Sequence, residues 1–138
     1  MKKIPNTFKN IFFILLTLAV TNSFAANDEN PYQVIDGKID ENTMQGWRSF
    51  RGGTCGMCHG GAGQGGAGPN LTLSLGEKID KAKFIETVTN GRSGTLMRPF
   101  KKNNRVMKNI DHIYAYLKAR SDGVLGPENL IKFPLGKK

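Results

Sequence analysis

Five consecutive residues, Cys55-Gly56-Met57-Cys58-His59, restrict this chain more than any other stretch. Two thiols at this spacing can form thioethers to the two vinyl groups of one porphyrin. The adjoining imidazole is then held under the iron, as a proximal ligand. The same thiols also suit a redox dithiol, a structural disulfide or half of a zinc site. A thioredoxin-type dithiol would want a βαβ pattern beside it, and none is visible. Zinc would want a second Cys/His pair. These are the only two cysteines, and the only other histidine is His112. One covalently bound haem c, attached through Cys55 and Cys58 with its iron on His59, accounts for the two thiols, their spacing and the adjoining histidine.

The N-terminus reads as an export signal. Lys2, Lys3 and Lys9 form a basic region, Ile11 to Val20 an apolar run, and Ser23-Phe24-Ala25 a small-x-small cleavage site. The run is shorter than the ~20 residues a spanning helix needs. Residues 1–25 are therefore expected to be a signal peptide, placing the mature protein in the periplasm, soluble and monomeric. The rest of the chain is short enough for one domain. The formal charge of +9 falls when the three lysines leave, and the remaining excess suits an acidic protein partner or an anionic surface. Nucleic acid is not expected, because no aromatic stacking set interleaves the basic residues. With 17 glycines in the chain, the core is modest, and a buried cofactor would supply apolar surface that a small domain lacks.

Residues 26–39 read as an arm lying on the domain and turned at Gly37, residues 40–120 as the domain proper, and residues 121–138 as a tail. A first helix begins at Asp40 or Asn42, both good caps. It carries Met44, Trp47 and Phe50 on one face and stops at Gly52-Gly53. Gly46 lies inside it, at a cost in helix propensity that a close helix crossing would explain. Residues 60–68 are glycine-dense, and the motif before them and Pro69 after them indicate a loop over a haem edge. Asp80 to Asn90 is a second helix, with Phe84, Ile85 and Val88 inward. Residues 91–107 read as irregular and basic. Lys108 to Arg120 is a third helix, with Ile110, Ile113, Tyr114, Tyr116 and Leu117 as its apolar stripe. Val124, Leu125, Leu130, Ile131 and Phe133 are expected to pack the tail back. No strand signal stands out. The expected class is all-α, with three to five helices around one haem.

Function turns on the second axial position. Met97, Met107, Met44, His112 or no residue at all are the candidates; Met57 lies inside the motif and cannot reach the far face. Met44 and His112 sit on helices whose faces the core needs. Met97 stands in a loop, where a side chain can be presented to a cofactor, and a thioether raises the potential of the iron. Met97 is the leading candidate and Met107 the second.

With these residues in place, the chain resembles the class I cytochromes c over most of the domain. The resemblance is carried by Gly46-Trp47-Arg48-Ser49-Phe50, Cys55-Gly56-Met57-Cys58-His59, Gly68-Pro69-Asn70-Leu71, Asn90-Gly91-Arg92, Met97 and Ile113-Tyr114-Ala115-Tyr116-Leu117. It implies that Gly46 and Phe50 cross the last helix near Ile113 and Tyr116. It also implies that the Pro69 carbonyl accepts from Nδ1–H of His59, fixing the tautomer. Arg98 stands between Met97 and Pro99, where the family usually has Met-Pro. Tyr32-Gln33-Val34-Ile35-Asp36-Gly37 and Tyr116 to Gly123 are similar to periplasmic cytochromes that serve quinoprotein (PQQ) methanol or alcohol dehydrogenases.

The expected function is one-electron transfer without enzymatic turnover. His59 and Met97 would be the axial ligands, a quinoprotein dehydrogenase the donor, and another cytochrome or terminal oxidase the acceptor in a respiratory chain. Arg98, Lys101, Lys102, Arg105 and Lys108 around Met97 would steer an acidic partner. Two alternatives stand beside it. One is a haem protein with an open or labile sixth site, such as a gas sensor or a peroxidase-like enzyme. The other is a haem subunit of a larger dehydrogenase complex.

Overall fold

The computed structural model describes residues 30–127 and 131–132. The expected signal peptide at 1–25 lies outside them, as do Leu130 and Phe133. Six helices are described: α1 (Glu41–Gly52), α2 (Gly56–His59), α3 (Leu71–Glu77), α4 (Lys81–Asn90), α5 (Asn104–Lys108) and α6 (Ile110–Ser121). The count exceeds the three to five expected because α2, α3 and α5 are short. Residues 91–107 are not irregular throughout, since α5 begins at Asn104, capped by the Asn103 side chain on Val106 N–H at 3.1 Å. Asn109, at φ −121°, separates α5 from α6, so the last helix starts at Ile110 and not at Lys108.

The helices read from caps form where expected. Asp40 caps α1, accepting from Thr43 N–H (3.0 Å) and the Thr43 hydroxyl (2.5 Å). Burial pushes its carboxyl up, but bonds from Thr43 and from the Gln33 and Thr43 amides outweigh it, so the pKa is lowered. Asp80 caps α4 through Lys83 N–H at 2.7 Å.

The core is the crossing of α1 with α6. A Cβ on Gly46 would stand 1.8 Å from the His112 carbonyl oxygen, so only glycine lets the backbones approach this closely. On either side of this contact the helices interlock. Phe50 and Tyr116 are fully buried with ring centroids 5.7 Å apart, and Met44, Ile113 and Leu117 are buried around them. Each such apolar side chain contributes about 1.5–3 kcal/mol over its exposed state. Trp47 is half-buried at the edge, with the Arg51 guanidinium 5.2 Å from its ring centroid. Phe84 and Tyr114, 5.5 Å apart, join α4 to α6.

The arm lies on the domain, as expected, and also forms a hairpin. β1 (Val34–Ile35) and β2 (Lys38–Ile39) pair antiparallel across Asp36 and Gly37, both at positive φ (51° and 71°). Asp-Gly at a two-residue turn is a hairpin signal. β3 (Ile131–Lys132) adds to β2 in parallel, giving the order β1-β2-β3. Tyr32, buried, donates from its hydroxyl to Asp122 Oδ2 at 2.7 Å, fastening the arm to the end of α6. In the tail Leu125 is buried, but Val124 is exposed: the chain turns away after Gly123 (φ +73°) instead of burying both residues.

Candidate haem site

Between α1 and α3 the chain is given over to holding one imidazole. Thr54, at φ +65°, turns the chain out of α1. One helical turn comes next, closed by Cys58 N–H and His59 N–H on the Cys55 carbonyl at 3.2 and 3.0 Å. His59 is consequently fixed at the end of α2, 9% exposed.

The imidazole geometry defines its chemistry. Nδ1 lies 2.9 Å from the Pro69 carbonyl oxygen. A carbonyl can only accept, so Nδ1 carries the proton and Nε2 of the neutral ring keeps its lone pair. Among the described residues Nε2 has no hydrogen-bond partner. Gly68 lies against the other side of this contact: a Cβ there would be 2.9 Å from His59 Cε1 and 3.0 Å from Nδ1.

Residues 60–70 are a defined loop. Gly65 N–H donates to the His59 carbonyl (2.7 Å), Gly68 N–H to the Cys58 carbonyl (2.8 Å) and Leu71 N–H to the Gly63 carbonyl (2.8 Å). Asn70 ends the loop by capping α3, accepting from Thr72 and Leu73 N–H at 2.9 and 3.3 Å. From α6, Arg120 Nε donates to the Ala62 carbonyl at 3.1 Å, and the Ser121 hydroxyl to the Thr72 carbonyl at 2.6 Å. Sequence reasoning missed both anchors, since nothing marks a helix-end arginine as the partner of a distant carbonyl.

Both thiols are free. Cys55 is partly buried and packed against the core, and burial pushes its thiol up to about 11; Cys58 is exposed. Leu71, Ile79, Ile85, Val88 and Met97 are apolar residues packed on the core yet only partly covered. An imidazole with a bare Nε2, two unpaired thiols at the attachment spacing and an incompletely covered apolar set fit a covalently held haem.

The remaining ligand candidates are spread over the fold. Met97 is half-buried in the loop after α4, its carbonyl accepting from Arg92 N–H at 2.9 Å and its N–H donating to the Thr95 hydroxyl at 3.2 Å. Met107, on α5, is also half-buried. Met44 is 4% exposed within the core, and Met57 is 81% exposed. His112 stands at the α1–α6 crossing, its Nδ1 buried without a hydrogen-bond partner.

Comparison with known proteins points to the same cofactor. The profile of the family described as cytochrome c oxidase, cbb3-type, subunit III matches residues 41–117. Cytochrome c-555 of Methylococcus capsulatus is 39% identical over 95 residues, covering 68% of this chain and 75% of that protein. Cytochrome c-553I of Paracoccus denitrificans is 32% identical over 110 residues, covering 74% of this chain and 48% of its own length. The crystal structure of the c-type cytochrome XoxG from Methylobacterium extorquens superposes with a TM-score of 0.67 at 28% identity, covering 73% of this chain and 65% of XoxG. The chain thus spans about half of one relative and just under two thirds of the solved structure. On the match over residues 41–117 and the identity to cytochrome c-555, the chain belongs to this family of haem domains and is a class I mono-haem cytochrome c, an electron carrier with haem c bound covalently through Cys55 and Cys58.

Proposed function

We propose that the protein is a periplasmic one-electron carrier with His59 and Met97 as axial ligands. Its donor would be a quinoprotein (PQQ) methanol or alcohol dehydrogenase, and its acceptor another cytochrome or a terminal oxidase. The observation that carries the ligation is the Nδ1–H bond to Pro69, which leaves Nε2 as the donor atom. When bound, haem c supplies reversible one-electron chemistry at its iron. The chain's own residues orient and dock. Pro69 holds the tautomer and raises the basicity of the imidazole. The thioether of Met97 would favour the reduced state. Arg98, Lys101, Lys102, Arg105 and Lys108 are all exposed, and none is in an ion pair among the described residues. With Leu96, 89% exposed, they would give the Met97 loop and the helix after it a cationic character suited to an acidic redox partner. Export rests on the N-terminal sequence, and the quinoprotein donor on the resemblance of the arm and tail motifs.

Absorption spectra of the mature holoprotein test the ligation. A sharp low-spin reduced spectrum without carbon monoxide binding is expected. So is a weak near-infrared sulfur-to-iron band that disappears in Met97→Ala. Rapid carbon monoxide binding by the wild type would instead mean an open site and point to sensing or catalysis. A band kept in Met97→Ala but lost in Met107→Ala would move the ligand to α5. The matched family's description as an oxidase subunit favours a second reading, a haem subunit of a larger complex. Co-purification with a stable partner would establish it.

A further inference from the structure

We infer that Arg120 is a positioning residue for the His59 imidazole. Its guanidinium clamps the loop that presents the Pro69 carbonyl and thereby sets how firmly Nδ1–H is held. The inference rests on the reading of His59 as an axial ligand through Nε2.

Arg120 lies in the last turn of α6 and forks between two carbonyls. Nε donates to Ala62 at 3.1 Å and Nη1 to Leu125 at 2.5 Å. Ala62 is buried, and its own N–H is taken by Gln64 Oε1 at 2.8 Å. Among the described hydrogen bonds Arg120 is the one donor to its carbonyl, and a buried carbonyl left without a donor is unfavourable. The next residue, Gly63, is pressed from the same helix: a Cβ there would lie 3.0 Å from Leu117 Cδ2. Gly63 in turn accepts from Leu71 N–H, and Thr72 accepts from the Ser121 hydroxyl on α6. Both ends of the 62–72 segment are thus fastened to one helix end. Between the fastenings sit Gly68, packed on the imidazole, and Pro69, bonded to it. Lysine could keep the charge of Arg120 but not its planar two-carbonyl fork.

The sign of the effect separates positioning from charge. Loosening the Pro69 bond weakens the imidazole as a donor, which favours the reduced iron and raises the potential. Removing a cation near the iron favours the oxidised, more positive state and lowers it. Arg120→Lys removes the fork at constant charge.

The test measures midpoint potential and His59 Nδ1–H exchange, by proton NMR of the ferrous holoprotein, in wild type, Arg120→Lys and Arg120→Ala. Wild type is expected to show haem-shifted His59 ring resonances with a protected Nδ1–H. Their absence would overturn the ligand assignment itself, whatever the variants do. Given them, Arg120→Lys is expected to raise the potential and to speed Nδ1–H exchange about tenfold, as local opening becomes easier. Arg120→Ala should speed exchange as much, with a smaller rise in potential. Wild-type potential and exchange in Arg120→Lys, or a lowered potential with unchanged exchange in Arg120→Ala, would overturn the inference. Should Arg120→Ala fail to hold haem, Arg120→Gln, which keeps a single donor nitrogen but no charge, replaces it under the same criteria.

Discussion

The loops at 60–70 and 91–103 are built in opposite ways. The first has almost no side chains to pack, and it is ordered by main-chain bonds onto His59, Cys58 and Gly63, with α6 bracing it. The second is rich in long cationic side chains, and its middle is exposed from Arg92 to Leu96. It is tied down chiefly where Phe100 and Lys101 N–H donate to the Val88 and Thr89 carbonyls at 3.0 and 3.2 Å. Fixing a ligand calls for backbone packed so closely that side chains would intrude. Meeting a partner calls for charge on long, mobile stems that stay in water. The 60–70 loop therefore tolerates little substitution, while the exposed cationic positions of the other should register it in rates.

The same substitution in each loop tests this contrast. Gly68→Ala puts a Cβ into the imidazole and should cost about 2–3 kcal/mol, as overpacking of a tight site does, measured by denaturant unfolding of the holoprotein. A cost near zero would mean the 60–70 loop yields as readily as a surface loop. Next in size is a rate effect. Reversing Arg98, Lys101 and Lys102 together to Glu should slow electron exchange with an acidic redox partner about tenfold at low salt. The difference should shrink at high ionic strength as screening shortens, and unfolding free energy should change by less than about 1 kcal/mol for these exposed positions. A rate indifferent to both charge and salt would leave the cationic residues without a docking role. Smallest is Gly94→Ala. A Cβ there meets nothing within 4 Å, so only its φ of +74° opposes the change, at about 1 kcal/mol. If it costs as much as Gly68→Ala, the two loops are equally constrained and the comparison fails.

The loops also differ in how far the sequence reveals them. Cys55, Cys58 and His59 announce a cofactor because the spacing is itself the geometry. Helices α1 and α4 were legible from Asp40 and Asp80, whose carboxylates cap them. Gly46 was legible as a crossing because glycine inside an apolar-faced helix needs a reason. Asn70 and Asn103 cap α3 and α5 in the same manner, but these helices are too short for periodicity to show. The Asp36-Gly37 turn carries a hairpin signal, yet its strands are two residues each. The bracing of the 60–70 loop stayed hidden. Glycines advertise a loop but not its hydrogen bonds, and Arg120 reads from sequence as a charge complementing a helix end. Its partner in the loop, the Ala62 carbonyl, is 58 residues away and is set by tertiary packing.

The approach of Gly46 to the His112 carbonyl has a consequence in time as well as space. It joins the first helix of the domain to the last, so closing it costs the entropy of looping nearly the whole intervening chain. During synthesis α1 emerges with its apolar face prepared and no surface to receive it until α6 has been made. A domain whose principal contact is this distant in sequence cannot gain its core piecemeal. The segment bearing the two thiols is made, and passes through its exposed state, before the helices on either side of it can meet.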